Sequence, residues 1–158
     1  MTDARFEDGA ETALTLLAQS PEDLPVISAL LQDAVLPASE IRWDRTARKL
    51  ALLVNRFRWE DREAAEREGR PYERVRTLLV IGDVQRVASQ GVPRGDADTV
   101  LSVLSLDWQP GADGTGRLVL VLAGDGAIAA EVECLDLTLR DVTRPYIAPS
   151  RKAPGHPD

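Results

Sequence analysis

The chain has 158 residues, 44% of them hydrophobic and 28% charged, with a net charge of −7 at neutral pH. That length and mix suit one globular domain able to bury a core without disulfide or metal staples. The negative charge argues against general binding to double-stranded DNA or to anionic lipid, both of which need a basic face.

Residues 1–12 are charged and small side chains and are expected to form a loose arm. They show no basic start followed by an apolar core, so no signal peptide is expected. No apolar run approaches the roughly 20 residues of a membrane span. The single cysteine, Cys134, cannot form an internal disulfide, which points to a reducing, cytoplasmic setting.

The spacing predicts a single domain over 13–146. Leu14-Thr15-Leu16 is a short first strand. Ser20-Pro21-Glu22-Asp23 opens an amphipathic helix, with either Ser20 or Asp23 as cap and Pro25 inside the first turn. Leu24, Ile27, Leu31, Ala34 and Val35 recur at helical spacing, and Pro37 stops the helix. From residue 39 the period becomes two. Ile41 and Trp43 form a strand, and 44–48 a turn. Residues 50–59 form a long strand whose core face switches sides near Asn55, so a bulge or bend is expected there. Residues 60–70 are a charged loop or short helix, and 92–96 a loop. Strands are predicted at 75–81, 84–90, 100–108, 118–123 and 127–134, with Gly124-Asp125-Gly126 as a hairpin turn. Residues 135–142 fit a strand or a helix equally well. The tail 147–158 is proline-rich and is expected to be disordered. The expected architecture is α+β: an antiparallel sheet of seven or eight strands curled into a barrel or half-barrel, with one helix near the N-terminus. A pleckstrin-homology-like fold is one form this could take.

Several chemistries are disfavoured. His156 is the only histidine and lies in the tail, so Ser-His-Asp, Cys-His and zinc sites lack their parts. No Gly-Lys-Ser or Gly-x-Gly-x-x-Gly motif is present, and no cofactor is expected. Cys134 at the end of an apolar strand is expected to be a small core residue. Glu131 and Glu133 share a strand face and Asp125 sits at a hairpin tip. These three are the carboxylates left for acid–base work.

One charge feature stands out. Residues 1–41 carry one basic and eight acidic side chains, whereas 42–58 carry six basic and one acidic. Trp43, Phe57 and Trp59 are interleaved with those arginines. The candidate binding residues are therefore Arg42, Arg56, Arg58 and Trp59, as an anion-recognition surface. The competing reading pairs the arginines with acids of 1–41 and 60–73 and puts Trp43 and Phe57 in the core.

The segments Val26-Ile27-Ser28-Ala29-Leu30-Leu31-Gln32-Asp33-Ala34, Asn55-Arg56-Phe57-Arg58-Trp59-Glu60, Ala123-Gly124-Asp125-Gly126-Ala127-Ile128, Glu131-Val132-Glu133-Cys134 and Asp141-Val142-Thr143-Arg144-Pro145-Tyr146 resemble the bacterial domain of unknown function 2948 family over residues 4 to 146. The resemblance implies a small bacterial protein and carries no catalytic residue or cofactor. Function is thus expected to be a non-enzymatic binding or adaptor module using the hairpin 42–59. The partner would be an unknown protein or an anionic ligand. A carboxylate/arginine enzyme and a structural homo-oligomer are the alternatives.

Overall fold

The computed structural model describes residues 13–92, 97–148 and 153–154. The expected arm 1–12, most of the expected loop 92–96 and most of the tail lie outside them. The described residues form eleven strands and two short α-helices.

The chain begins with β1 (Thr15–Ala18) and reaches helix α1 (Leu24–Leu31) through a single 3-10 turn at Pro21–Asp23. Asp23 is the helix cap and Pro25 lies inside the first turn, where its missing N–H costs nothing. The Asp23 carboxylate accepts from the Ser20 amide at 3.4 Å and the Ser20 hydroxyl at 3.1 Å. Leu24, Ile27, Leu30 and Leu31 face the core. The helix ends earlier than the spacing predicts. Gln32 already leaves the helical conformation, with ψ at 129°, and Val35 starts a strand. That strand, β2 (Val35–Pro37), is short and joins the two halves of the sheet.

The remaining strands are β3 (Ile41–Asp44), β4 (Lys49–Phe57), β5 (Glu73–Ile81), β6 (Val84–Gln90), β7 (Val100–Pro110), β8 (Gly116–Leu122), β9 (Gly126–Val132), β10 (Leu137–Asp141) and β11 (Tyr146–Ile147). Helix α2 (Arg62–Glu68) lies between β4 and β5 and ends on Gly69 in the left-handed conformation. All pairings are antiparallel. The order is β1-β10-β5-β4-β2-β7-β8-β9-β6, with β3 added to β4 and β11 to β5. β1 and β6 end this path without pairing to each other, so the sheet is open and not a closed barrel. The ambiguous 135–142 segment is a strand, and Gly124 and Asp125, both at positive φ, turn β8 into β9.

Register decides which side chains meet. Directly paired residues share a face. The row Leu16–Leu139–Leu79–Leu52–Ile41 points inward, as does Ala18–Leu137–Ile81–Leu50–Trp43. The alternate rows point outward. Inward side chains from both halves of the sheet and from α1 join in one core.

The β4–β5 register runs unbroken from Leu50–Ile81 to Phe57–Arg74. No bulge or face switch occurs at Asn55. The inward parity simply continues from Val54 to Arg56, a charged residue with no exposed surface. Bulges occur elsewhere, at Val84/Arg86 in β6 and Val103/Ser105 in β7.

Candidate functional site

Arg56 sits where the core parity of β4 would take a leucine. A buried guanidinium is tolerable only when its donors are filled. Its Nη1 and Nη2 donate to the two carboxylate oxygens of Glu60 at 2.9 and 2.8 Å, and Nη2 also reaches Asp141 Oδ1 at 3.0 Å. Nε donates to the Thr77 hydroxyl at 3.0 Å, and that hydroxyl donates to Asp141 Oδ1 at 2.7 Å. Asp141 also accepts the Leu14 amide at 3.0 Å. Burial pulls the Arg56 guanidinium down, but Glu60 and Asp141 outweigh it and its pKa is raised overall.

Arg58 is 8% exposed and donates to Glu73 at 2.7 Å, with Asp61 at 3.9 Å and Glu60 at 4.0 Å. Arg70 closes this network with two 2.8 Å bonds to Asp61. Trp59 is half-buried in a 3-10 turn. Its indole N–H donates to the Gln32 carbonyl at 3.0 Å and its ring packs on Phe57 at 4.6 Å. Arg42 lies on the outward face of β3, exposed and without an ion pair among the described residues. The structure therefore does not bring Arg42, Arg56, Arg58 and Trp59 together. Three lie at one end of β4, with both arginines buried among carboxylates, and Arg42 faces away from them. Arg56 and Arg58 pair with Glu60, Asp61 and Glu73, which fall among the acids 60–73 of the competing reading, and Arg56 also pairs with Asp141, which that reading did not include. Phe57 is buried and Trp43 packs on the core.

The basic hairpin builds a different site at its tip. The β3–β4 turn is closed by Asp44, whose carboxylate accepts the Ala47 amide at 3.0 Å, and by Arg48 at φ 59°. The Arg48 carbonyl accepts the Val84 amide at 2.9 Å, which fastens the turn to the start of β6. The β6 bulge lies at the same place and re-aims Gln85 and Arg86. The result is a cleft of about 570 Å³. Trp43, Val84 and Val87 supply its apolar wall, and Arg45, Arg48 and Arg86 supply charge. Glu133 accepts from Arg48 at 2.8 Å and from Gln85 at 3.0 Å. Arg45 has no ion-pair partner among the described residues. A wider groove of about 730 Å³ between α1 and β7 has no cation in its lining.

With this geometry in view, the sequence model described as "Protein of unknown function (DUF2948)" matches residues 14–156. The chain belongs to that family. No curated protein and no solved structure matches it.

Of the other groups that this DUF2948 chain offered for chemistry, Asp125 is exposed at the β8–β9 turn, and Glu131 lies 3.5 Å from Arg86. Cys134 is exposed and is not a core residue, because β9 ends at Val132 and the next residues turn toward β10. Its thiol lies 3.1 Å from an Asp83 carboxylate oxygen, and that hydrogen bond, with burial and nearby acids, pushes its pKa up. Among the described residues no three His, Cys, Asp or Glu side chains are grouped to hold a metal, and no helix is long and apolar enough to cross a membrane. Sequence reasoning missed Arg86 and Gln85. Their only signal was the bulge-prone alternation of a strand with polar residues on both parities.

Proposed function

We propose that the protein is a non-enzymatic binding module that recognises an anionic group in the cleft between the β3–β4 hairpin and β6. The observation that carries this reading is Arg45. Its unpaired guanidinium shares a cleft with Arg48, Arg86 and the Trp43 ring in a protein of net charge −7. Arginine donors fit carboxylate and phosphate, and an indole wall favours a ligand with an apolar or planar body. The cleft volume is within the range of small-ligand sites. A half-barrel scaffold of the pleckstrin-homology kind belongs to the same proposal, supported by the single core shared between the sheet halves. A cytoplasmic setting belongs to it as well, since a lone exposed thiol suits a reducing compartment.

The test is a titration with phenyl phosphate at low ionic strength, followed by Trp43 fluorescence quenching and by calorimetry. Saturable binding that weakens with salt and is lost in Arg45→Glu is the expected result. Binding that is absent, or unchanged in Arg45→Glu, overturns the reading. A carboxylate/arginine enzyme is the second reading, favoured by Glu133 lying in the same cleft as three arginines. Hydrolysis of phenyl phosphate that is lost in Glu133→Gln would support it over simple binding.

A further inference from the structure

β4 and β5 carry apolar side chains on both faces, but the core covers only one. Inward lie Leu50, Leu52, Leu79 and Ile81. Outward lie Ala51, Leu53, Leu78 and Val80, which belong neither to the core nor to the residues packed on it. Leu17, in the same outward row as Val80, is 54% exposed. A sheet face open to water ordinarily alternates to polar residues, so an aliphatic centre there calls for a cover.

A cation stands at each of the four sides of this aliphatic centre. The register row Thr15–Arg140–Leu78–Leu53 places Arg140 at one side. The row Leu17–Thr138–Val80–Ala51–Arg42 places Arg42 at the other. One row beyond each end stand Arg76, opposite Asn55, and Lys49, opposite Asp44. All four cations are exposed, and none makes an ion pair among the described residues. Two carboxylates stand at the Lys49 end: Asp44, which is engaged by the Ala47 amide, and Asp136, whose side chain lies over Gly82 on the same face. A net −7 chain has thus placed four cations without ion pairs among the described residues around one half-buried apolar strip that lies outside the core. The rows from Arg76 to Lys49 span about 20 Å along the strands.

We infer that this outer face of β1-β10-β5-β4-β3 docks an acidic amphipathic segment of a partner protein. Its aliphatic side chains cover Leu53, Leu78 and Val80, and its carboxylates meet the cations at the rim. Complementary charge at the rim with an apolar centre is the anatomy of a protein interface. A nucleic acid is disfavoured because these rows offer aliphatic side chains where single strands need aromatic stacking. A second copy of the chain is disfavoured because a two-fold contact would set cation against cation. The inference is independent of the hairpin cleft, whose residues Trp43 and Arg86 are not on this face.

The test uses the full chain and a synthetic amphipathic Glu/Leu helix as probe. Polyglutamate, single-stranded oligothymidine and phosphatidylserine vesicles serve as comparison probes. The expected result is saturable binding of the amphipathic helix, roughly tenfold or more tighter than polyglutamate. In the combined variant R42E/K49E/R76E/R140E it weakens by a further tenfold or more. All four positions are exposed and unpaired, and an unchanged melting temperature confirms that the variant folds. Val80→Thr, which keeps a β-branched side chain, gives a second, milder loss. The proposal is overturned if charge reversal has no effect, if polyglutamate binds equally, or if no probe binds. Tighter binding of oligothymidine or vesicles overturns it in favour of those partners. A dimer that dissociates on charge reversal overturns it by assigning the face to a second copy. Binding that requires removal of residues 1–12 overturns it by assigning the face to the chain's own acidic N-terminus.

Discussion

The guanidinium of Arg56 and the carboxylate of Asp141 meet at 3.0 Å across 85 residues of sequence, inside the domain, with side-chain exposures of 0% and 4%. Thr77 stands between them on β5 and bonds both. The pair ties β4 to β10, and the Leu14 amide ties β1 to the same carboxylate. Removing one partner leaves a buried charge uncompensated, which costs about 3–5 kcal/mol. Arg56→Met is therefore expected to lower stability by that amount in urea denaturation. Arg56→Met with Asp141→Leu should cost clearly less than the two single changes added together, because the Asp141 charge is no longer left buried alone and Glu60, which is partly exposed, keeps Arg58 at 4.0 Å. Additive losses would mean that the two residues act independently.

Acid should loosen the same end of the molecule. Burial on its own raises the Glu60 carboxyl, but the hydrogen bond and charge of Arg56 outweigh it and hold it below its usual 4.5. For Asp61 the hydrogen bond from Arg70 dominates and holds the carboxyl below 3.8. Folded values below unfolded values mean that the unfolded chain binds more protons between the two. The stabilisation is thus present in full above the unfolded values and is lost as pH falls through the folded ones. Urea midpoints measured from about pH 6 down to about pH 3 should fall through this window. Arg70→Ala removes the leading cause of the lowered Asp61 value and leaves only Arg58 and Glu73 beside it, so its profile should be flatter; an identical slope would exclude the Arg70–Asp61 pair as a source.

How far this could be read in advance depended on whether the partner was local. The α1 cap, which the spacing left between Ser20 and Asp23 and which is Asp23, the turn expected at 44–48, which starts one residue later, and the Gly124-Asp125-Gly126 hairpin are set by neighbours within a few residues. Arg56 is the opposite case. Leu50, Leu52, Val54 and then an arginine looked like a face turning to solvent, because Asp141 is invisible from β4. β2 escaped for a related reason: three residues ending in proline become a strand only when β4 and β7 lie on either side. The hairpin's charge was legible and its destination was not. Arg56 and Arg58 went into the interior, while Arg45 and Arg48 joined Arg86 from a strand that meets the hairpin through one backbone bond.

Gly116 has no room for a side chain. It opens β8 opposite Pro110, and the ring of Trp108, two residues before, lies directly over its Cα. The indole covers a backbone that a Cβ would push away. Gly116→Ala should displace the Trp108 ring or open the end of the β7–β8 hairpin, at a cost of about 1–3 kcal/mol. Trp108 emission should shift to the red in the same variant. Unchanged emission with full stability would show that the ring has another place to sit.

Cys134 should be a slow thiol despite its exposure. Thiolate is the reactive form, and an adjacent carboxylate opposes its formation. The hydrogen bond to Asp83 is the leading cause of the raised pKa, ahead of burial and of the charges on Asp83, Asp136 and Glu133. Asp83→Asn removes the charge but keeps a side chain of the same shape. The thiol pKa in that variant should drop toward its ordinary value, and alkylation by iodoacetamide at mildly alkaline pH should quicken several-fold. The pH–rate profile should move to lower pH without changing its plateau. Asp83 also accepts the Glu133 amide through its backbone carbonyl at 3.0 Å, and that bond is untouched by the substitution. A faster reaction in Asp83→Asn with an unshifted profile would therefore report a loosened corner, whereas a shifted profile reports the lost charge.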